Sequence, residues 1–184
     1  MKVVIINGSG TSGKDTVVEL TRTYFFDKNE VVNLSTIDKI KDVARQLGWN
    51  CEKDEKGRQF LADLKTAWTN YNNGANQDTL NNILRLNIDE FSAPKEFIVF
   101  VHCREPEAIQ WFVEKLKVRN IKVCTVFVER QGIVEFFNAA DQGVNKYNYD
   151  ITILNNGTLE ELEKVCKDFA DLIINWNIEK RILV

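Results

Sequence analysis

Histidine is almost missing from this chain: its 184 residues contain one, His102, alongside two prolines and one methionine. The four cysteines, Cys51, Cys103, Cys124 and Cys166, stand far apart and form no Cys-x-x-Cys pair. A structural zinc site would therefore need an unusual ligand set. Cys103, Cys124 and Cys166 lie in apolar segments and read as reduced, buried thiols. A basic excess is also missing, since the formal net charge is −3. This argues against a general nucleic-acid binder, whose affinity rests on many phosphate contacts. Any phosphate handled here is expected at a local site. No segment approaches the roughly 20 apolar residues that span a bilayer. The N-terminus runs straight into a strand pattern with no charged leader, so the expectation is a cytoplasmic protein with no membrane contact. Internal repeats, low-complexity stretches and linkers rich in Pro or Ser are absent as well.

What is present suits a globular core: 44% of residues are hydrophobic and 28% charged, and the length favours a single domain over 1–184. Lys2 to Ile6 is a short β-branched run of the kind found in strands buried on both faces. After a glycine-rich turn, Val17, Val18, Leu20 and Thr21 begin a helical pattern reaching about Phe26. Val31 to Leu34 reads as a second strand. Ile37, Ile40, Val43, Ala44 and Leu47 then recur at helical spacing up to Gly48. Residues 49–57 are polar and read as a loop. A helix follows from Arg58 to Asn72, ended by Asn72-Asn73-Gly74, and a further one carries Leu80, Ile83, Leu84 and Phe91 before Pro94. Phe97 to Val101, Val123 to Val128 and Ile151 to Leu154 are three more strands. Pro106 opens the helix after the first of these. Thr158-x-x-Glu161 has capping-box spacing at the start of the last helix. Strands alternating with helices imply an α/β fold, a parallel sheet covered on both faces.

The chemistry concentrates in the glycine-rich turn. Gly8-Ser9-Gly10-Thr11-Ser12-Gly13-Lys14-Asp15-Thr16 has the spacing Gly-x-x-x-x-Gly-Lys of a phosphate-binding loop. Glycines let the backbone turn so that successive N–H groups face phosphate oxygens. The helix N-terminus near Gly13 adds partial positive charge. Lys14 can reach the β- and γ-phosphates of ATP, and Thr16 can offer a hydroxyl to Mg²⁺. Asp15 occupies the place where Ser or Thr usually follows the lysine, and it joins Thr16 as a metal candidate. Aromatic Trp49, Trp68 and Tyr71 could stack on a base, but the helical spacing of Trp68 and Tyr71 favours core packing.

The ending Gly13-Lys14-Asp15-Thr16 resembles that of P-loop nucleoside monophosphate kinases, especially phage-type deoxynucleoside monophosphate kinases. It is also similar to that of dephospho-coenzyme A kinases. Tyr149-Asp150-Ile151-Thr152-Ile153-Leu154-Asn155-Asn156-Gly157-Thr158-Leu159-Glu160-Glu161-Leu162 resembles the final strand, Asn-x-Gly turn and capped helix of the same kinases. The resemblance implies a three-layer P-loop NTPase fold with a five-stranded parallel sheet. It also implies a helical acceptor-binding insert at about 36–92 and a short lid at about 129–149.

Within that frame Arg58 falls in the insert, and Arg104 follows the third strand at the edge where α/β proteins bind ligands. Either guanidinium could grip an acceptor phosphate. Asp38 could hold a sugar hydroxyl, steer a metal or only complement a helix start, and Lys41 could meet an acceptor phosphate. His102, at the end of the third strand, reads either as a base or as a hydrogen-bonded structural residue. Lids of this family bring arginines over the moving phosphate, and here only Arg130 and Lys146 are on offer. The resulting expectation is an ATP- and Mg²⁺-using kinase, monomeric or homodimeric. Its acceptor is a nucleoside or deoxynucleoside monophosphate, or alternatively another phosphorylated metabolite or coenzyme precursor. A nucleotide-binding module with little catalysis is the third alternative.

Overall fold

The computed structural model describes residues 1–25, 29–52, 54–86, 96–132 and 147–184. The strands are β1 (Lys2–Asn7), β2 (Asn29–Ser35), β3 (Glu96–His102), β4 (Lys122–Glu129), β5 (Ile151–Leu154) and β6 (Arg181–Leu183). The helices are α1 (Lys14–Arg22), α2 (Asp38–Gln46), α3 (Glu55–Asn72), α4 (Gly74–Arg85), α5 (Pro106–Lys117) and α6 (Leu159–Asn175). Most of the lid expected at 129–149, with Lys146, and the end of the insert expected at 36–92 lie outside the described residues, as do Phe26, Phe91 and Pro94.

The strands form one sheet in the order β2-β3-β1-β4-β5-β6. β1 is flanked by β3 and β4, with Val4 opposite both Phe100 and Cys124, and both pairings are parallel. The expected count of five strands is corrected to six. After α6 the chain returns through Asn177 to Lys180 and lays β6 parallel to β5, pairing Arg181 with Ile151. Three residues with Ile182 pointing outward, 64% exposed, are too short to show a period of two.

Every residue of β1 is buried, as its unbroken apolar run requires of a central parallel strand. Val4, Ile6, Phe100 and Val126 meet Val17 and Val18 of α1 and Val165, Phe169 and Ile173 of α6 on one face. Residues of the opposite pleat, among them Val3 and Ile5, are equally buried, and α5 packs on β4 through a stripe that includes Ile109, Phe112 and Leu116.

The chain divides into two compact units, Met1–Asn33 with Phe91–Val184, and Leu34–Glu90. The second unit gathers Ile40, Ala44, Leu61 and Ala75 into its own core, with Trp49 and Trp68 packed against it. Tyr71, by contrast, is 84% exposed. Two boundaries in this unit differ from the sequence reading. α3 starts at Glu55 because Asp54 caps it, accepting a hydrogen bond from the Gly57 N–H at 2.7 Å. α4 starts at Gly74 because Asn73 takes a left-handed conformation, φ 55°, that ends one helix and starts the next.

Candidate functional site

In a parallel sheet the carboxyl ends of all strands lie on one edge. The segments leaving β1, β3, β4 and β5 therefore converge: Gly8–Gly13, Cys103–Glu105, Arg130 and Asn155. The first of these is the glycine loop. Thr11 and Gly13 both take positive φ, 67° and 88°. Left-handed residues in such a turn aim successive N–H groups to the same side, which makes a concavity for an anion. Gly13 is the last residue before α1, whose first helical residue is Lys14. The loop thus delivers a cation and the N-terminal turn of a helix to one place. That pairing is costly unless an anion is to be bound there.

Two glycines are required by their surroundings. A Cβ on Gly8 would lie 2.7 Å from the Val128 carbonyl oxygen and 2.5 Å from Ser12 Oγ. A Cβ on Gly13 would lie 2.3 Å from Asn155 Nδ2, on a backbone already left-handed. The loop is also tied at its start. Asn7 Oδ1 accepts from the Gly8 N–H at 2.7 Å, while its Nδ2 donates to Tyr149 Oη at 2.7 Å and to the Arg104 carbonyl at 3.0 Å. One buried asparagine therefore joins the ends of β1 and β3 to Tyr149, two residues before β5. Tyr149 is stacked on Phe127, with ring centroids 5.1 Å apart, and burial pushes its phenol well above the usual tyrosine range. It stays neutral and serves as a hydrogen-bonding post.

The remaining candidates fall as follows. Asp15 is in the first turn of α1, 83% exposed, and its Oδ1 lies 3.5 Å from Nδ1 of His102, which is only 14% exposed. The single histidine thus faces the helix that follows the glycine loop. Thr16, Arg130 and Gly13 line a cavity of about 180 Å³ together with Asn155, Gly157 and Thr158. Arg104 is half-buried between β3 and α5, where its carbonyl is held by Asn7. Asp38, Lys41 and Arg58 belong to the second unit. Asp38 Oδ2 accepts from the Ser35 N–H at 2.7 Å and Oδ1 from Lys41 Nζ at 3.2 Å, so this pair closes the turn from β2 into α2. Arg58 sits in the first turn of α3, exposed.

Sequence reasoning passed over Asn7 and Asn155. Each is buried, 0% and 7% exposed, and each owes its role to partners about 140 residues distant in the chain. The only local signal was the Asn-x-Gly turn after β5. Among the described residues no cluster of three His, Cys, Asp or Glu could hold a metal ion. The Thr16 hydroxyl and Asp15 carboxylate, both exposed at the start of α1, are hard oxygens of the kind Mg²⁺ takes. One or two protein oxygens, with phosphate and water completing the shell, is that ion's usual arrangement. Among the described residues no helix is long and apolar enough to cross a membrane.

No family model matches the sequence, and no curated protein matches it. Solved structures match over nearly its full length. The tunicamycin resistance protein of Deinococcus radiodurans is 13% identical, with 96% of each chain covered and a TM-score of 0.53. The APS kinase of Mycobacterium tuberculosis, in complex with AMPPNP and APS, is also 13% identical, with a TM-score of 0.50. There 94% of this chain and 97% of that one are covered. At this identity the likeness concerns the fold alone: a parallel sheet flanked by helices.

Proposed function

We propose that the chain is an ATP-dependent phosphotransferase whose acceptor is a nucleoside or deoxynucleoside monophosphate. The observation that carries this reading is the Gly8–Thr16 loop. It leaves the central strand, turns through left-handed Thr11 and Gly13, and opens a helix on Lys14. The cavity of about 180 Å³ beside Gly13 and Thr16 adjoins the loop and takes part of the donor. That the Mycobacterium tuberculosis kinase of the same fold holds AMPPNP and APS together supports a donor nucleotide beside a second ligand here.

In this reading the loop amides and Lys14 hold the donor phosphates. Thr16 and Asp15 would hold Mg²⁺, which supplies neutralising charge at the phosphates. Arg104 binds the acceptor phosphate, and Asp38, Lys41 and Arg58 keep the acceptor-binding role that the resemblance implies. An oxygen of that acceptor attacks the γ-phosphorus, the bond to the bridging oxygen breaks, and ADP leaves. Arg130 offsets the charge that spreads over the moving group.

A coupled assay of ADP release from ATP and Mg²⁺, run across the nucleoside and deoxynucleoside monophosphates, tests the proposal. One of them should stimulate release, and Lys14→Ala should lower that rate by about a hundredfold or more. ATP binding without release on any monophosphate would sink the acceptor class. The same assay with other phosphorylated metabolites, a coenzyme precursor among them, then decides the alternative acceptor.

A further inference from the structure

Asn155 is the first residue after β5, and it is held from two sides. Its backbone N–H donates to the Glu129 carbonyl at the end of β4, at 2.7 Å. Its side chain is buried, and Nδ2 donates to the Ser12 carbonyl at 2.9 Å. The same Nδ2 atom is what a Cβ on Gly13 would strike, at 2.3 Å. The amide therefore lies against Ser12 and Gly13, the two residues before Lys14. The sheet orders this asparagine before any ligand arrives, and what it grips is a loop carbonyl, not part of a helix or sheet ladder.

In a trans peptide the carbonyl and the following N–H point in opposite directions. Holding the Ser12 carbonyl against β5 therefore holds the Gly13 N–H away from β5, free for an anion. Gly13 is left-handed, with φ 88°, and a glycine has little intrinsic preference between this orientation and a flipped one. An external grip is then what selects it.

We infer that Asn155 is a positioning residue of the phosphate loop, fixing the Ser12–Gly13 peptide so that the Gly13 N–H is presented to a phosphate oxygen. The inference rests on the reading of Gly8–Thr16 as a phosphate cradle, and it adds a residue outside the loop on which the cradle depends. Asn155 touches no reacting atom.

The test uses the full chain, tripolyphosphate as a probe that reads the loop without a nucleoside, and the ¹⁵N–¹H signal of Gly13. In the wild-type protein tripolyphosphate binds and the Gly13 amide moves downfield. In Asn155→Ala the affinity falls about tenfold, the size of one misdirected hydrogen bond, and the Gly13 response shrinks. Asn155→Leu, with the same number and branching of side-chain heavy atoms and without a donor, shows the same loss and covers the case in which alanine leaves too large a void. Wild-type affinity and an unchanged Gly13 response in either folded variant overturn the inference while leaving the phosphate-loop reading intact. Loss of amide dispersion in both variants also overturns it, marking the bond as one that holds the fold. A wild-type chain that binds neither tripolyphosphate nor ATP sinks the phosphate-loop reading itself.

Discussion

Cys166 on α6 is fully buried, and its Sγ lies 3.8 Å from the Val17 carbonyl of α1. Burial pushes its thiol up to about 11. Cys124, in the middle of β4, is pushed the same way by burial and by Asp150. These thiols are held as neutral packing groups, which is what their apolar segments foretell. A raised folded value means that the unfolded chain loses its thiol proton first, from about pH 8.5 upward. The stabilisation is complete below that value and is lost as pH climbs toward 11. Within this window each buried thiol removes up to about 1.4 kcal/mol of stability per pH unit. Denaturant unfolding at about pH 8 and about pH 10.5 should show a smaller alkaline loss in Cys166→Ala than in the wild type. Equal losses would show that the Cys166 thiol does not ionise differently in the two states. Other residue-scale readings hold unevenly. Asp38 and Lys41 have the residue types of an acceptor site, yet the pair they form spends part of their hydrogen-bonding capacity on a turn.

At the scale of elements, α6 shows how much of a helix can be read in advance. The spacing Thr158-x-x-Glu161 announces a capping box, and the box is formed. The Glu161 N–H donates to Thr158 Oγ1 at 3.3 Å, and the Thr158 N–H donates to Glu161 Oε2 at 2.8 Å. Thr158→Ala should lower the stability of the chain by about 1 kcal/mol, or about 2–4 °C in melting midpoint, while Thr158→Ser keeps most of it. Differential scanning calorimetry of the three proteins checks this. A serine variant as unstable as alanine would show that the hydroxyl cap contributes little. α3 and α4 were less legible at their starts. The cap at Asp54 lies within a polar stretch that reads equally well as loop. Asn73 combines the end of one helix with the start of the next, so no turn segment separates them. β6 was not legible at all. Its three residues are a strand only because β5 offers an open edge beside them.

For the molecule as a whole, nucleotide binding and stability are linked. A ligand bound by the folded chain alone stabilises it by about 2.7 kcal/mol at a hundredfold excess over its Kd. ATP with Mg²⁺ should accordingly raise the melting midpoint by about 5–10 °C, and Lys14→Ala should abolish most of the rise without a large change in its own midpoint. A wild-type midpoint unmoved by ATP would count against a nucleotide site. If the two compact units melt separately, the rise belongs to the transition of the unit that holds the glycine loop, Met1–Asn33 with Phe91–Val184.

The sequence by itself determined the glycine loop, the order of alternating strands and helices, the buried thiols and the cap of α6. Each of these is written in neighbours a few residues apart: a spacing, a period or a run. The tertiary structure alone decided that the sheet has a sixth strand, that His102 faces Asp15, and that Asn7 and Asn155 hold the loop at its two ends. Those facts depend on parallel pairing, which brings the carboxyl ends of β1, β3, β4 and β5 to one edge from positions spread between Asn7 and Leu154. Local pattern carries no record of such a meeting, because a parallel register is set by the core packed on both faces of the sheet.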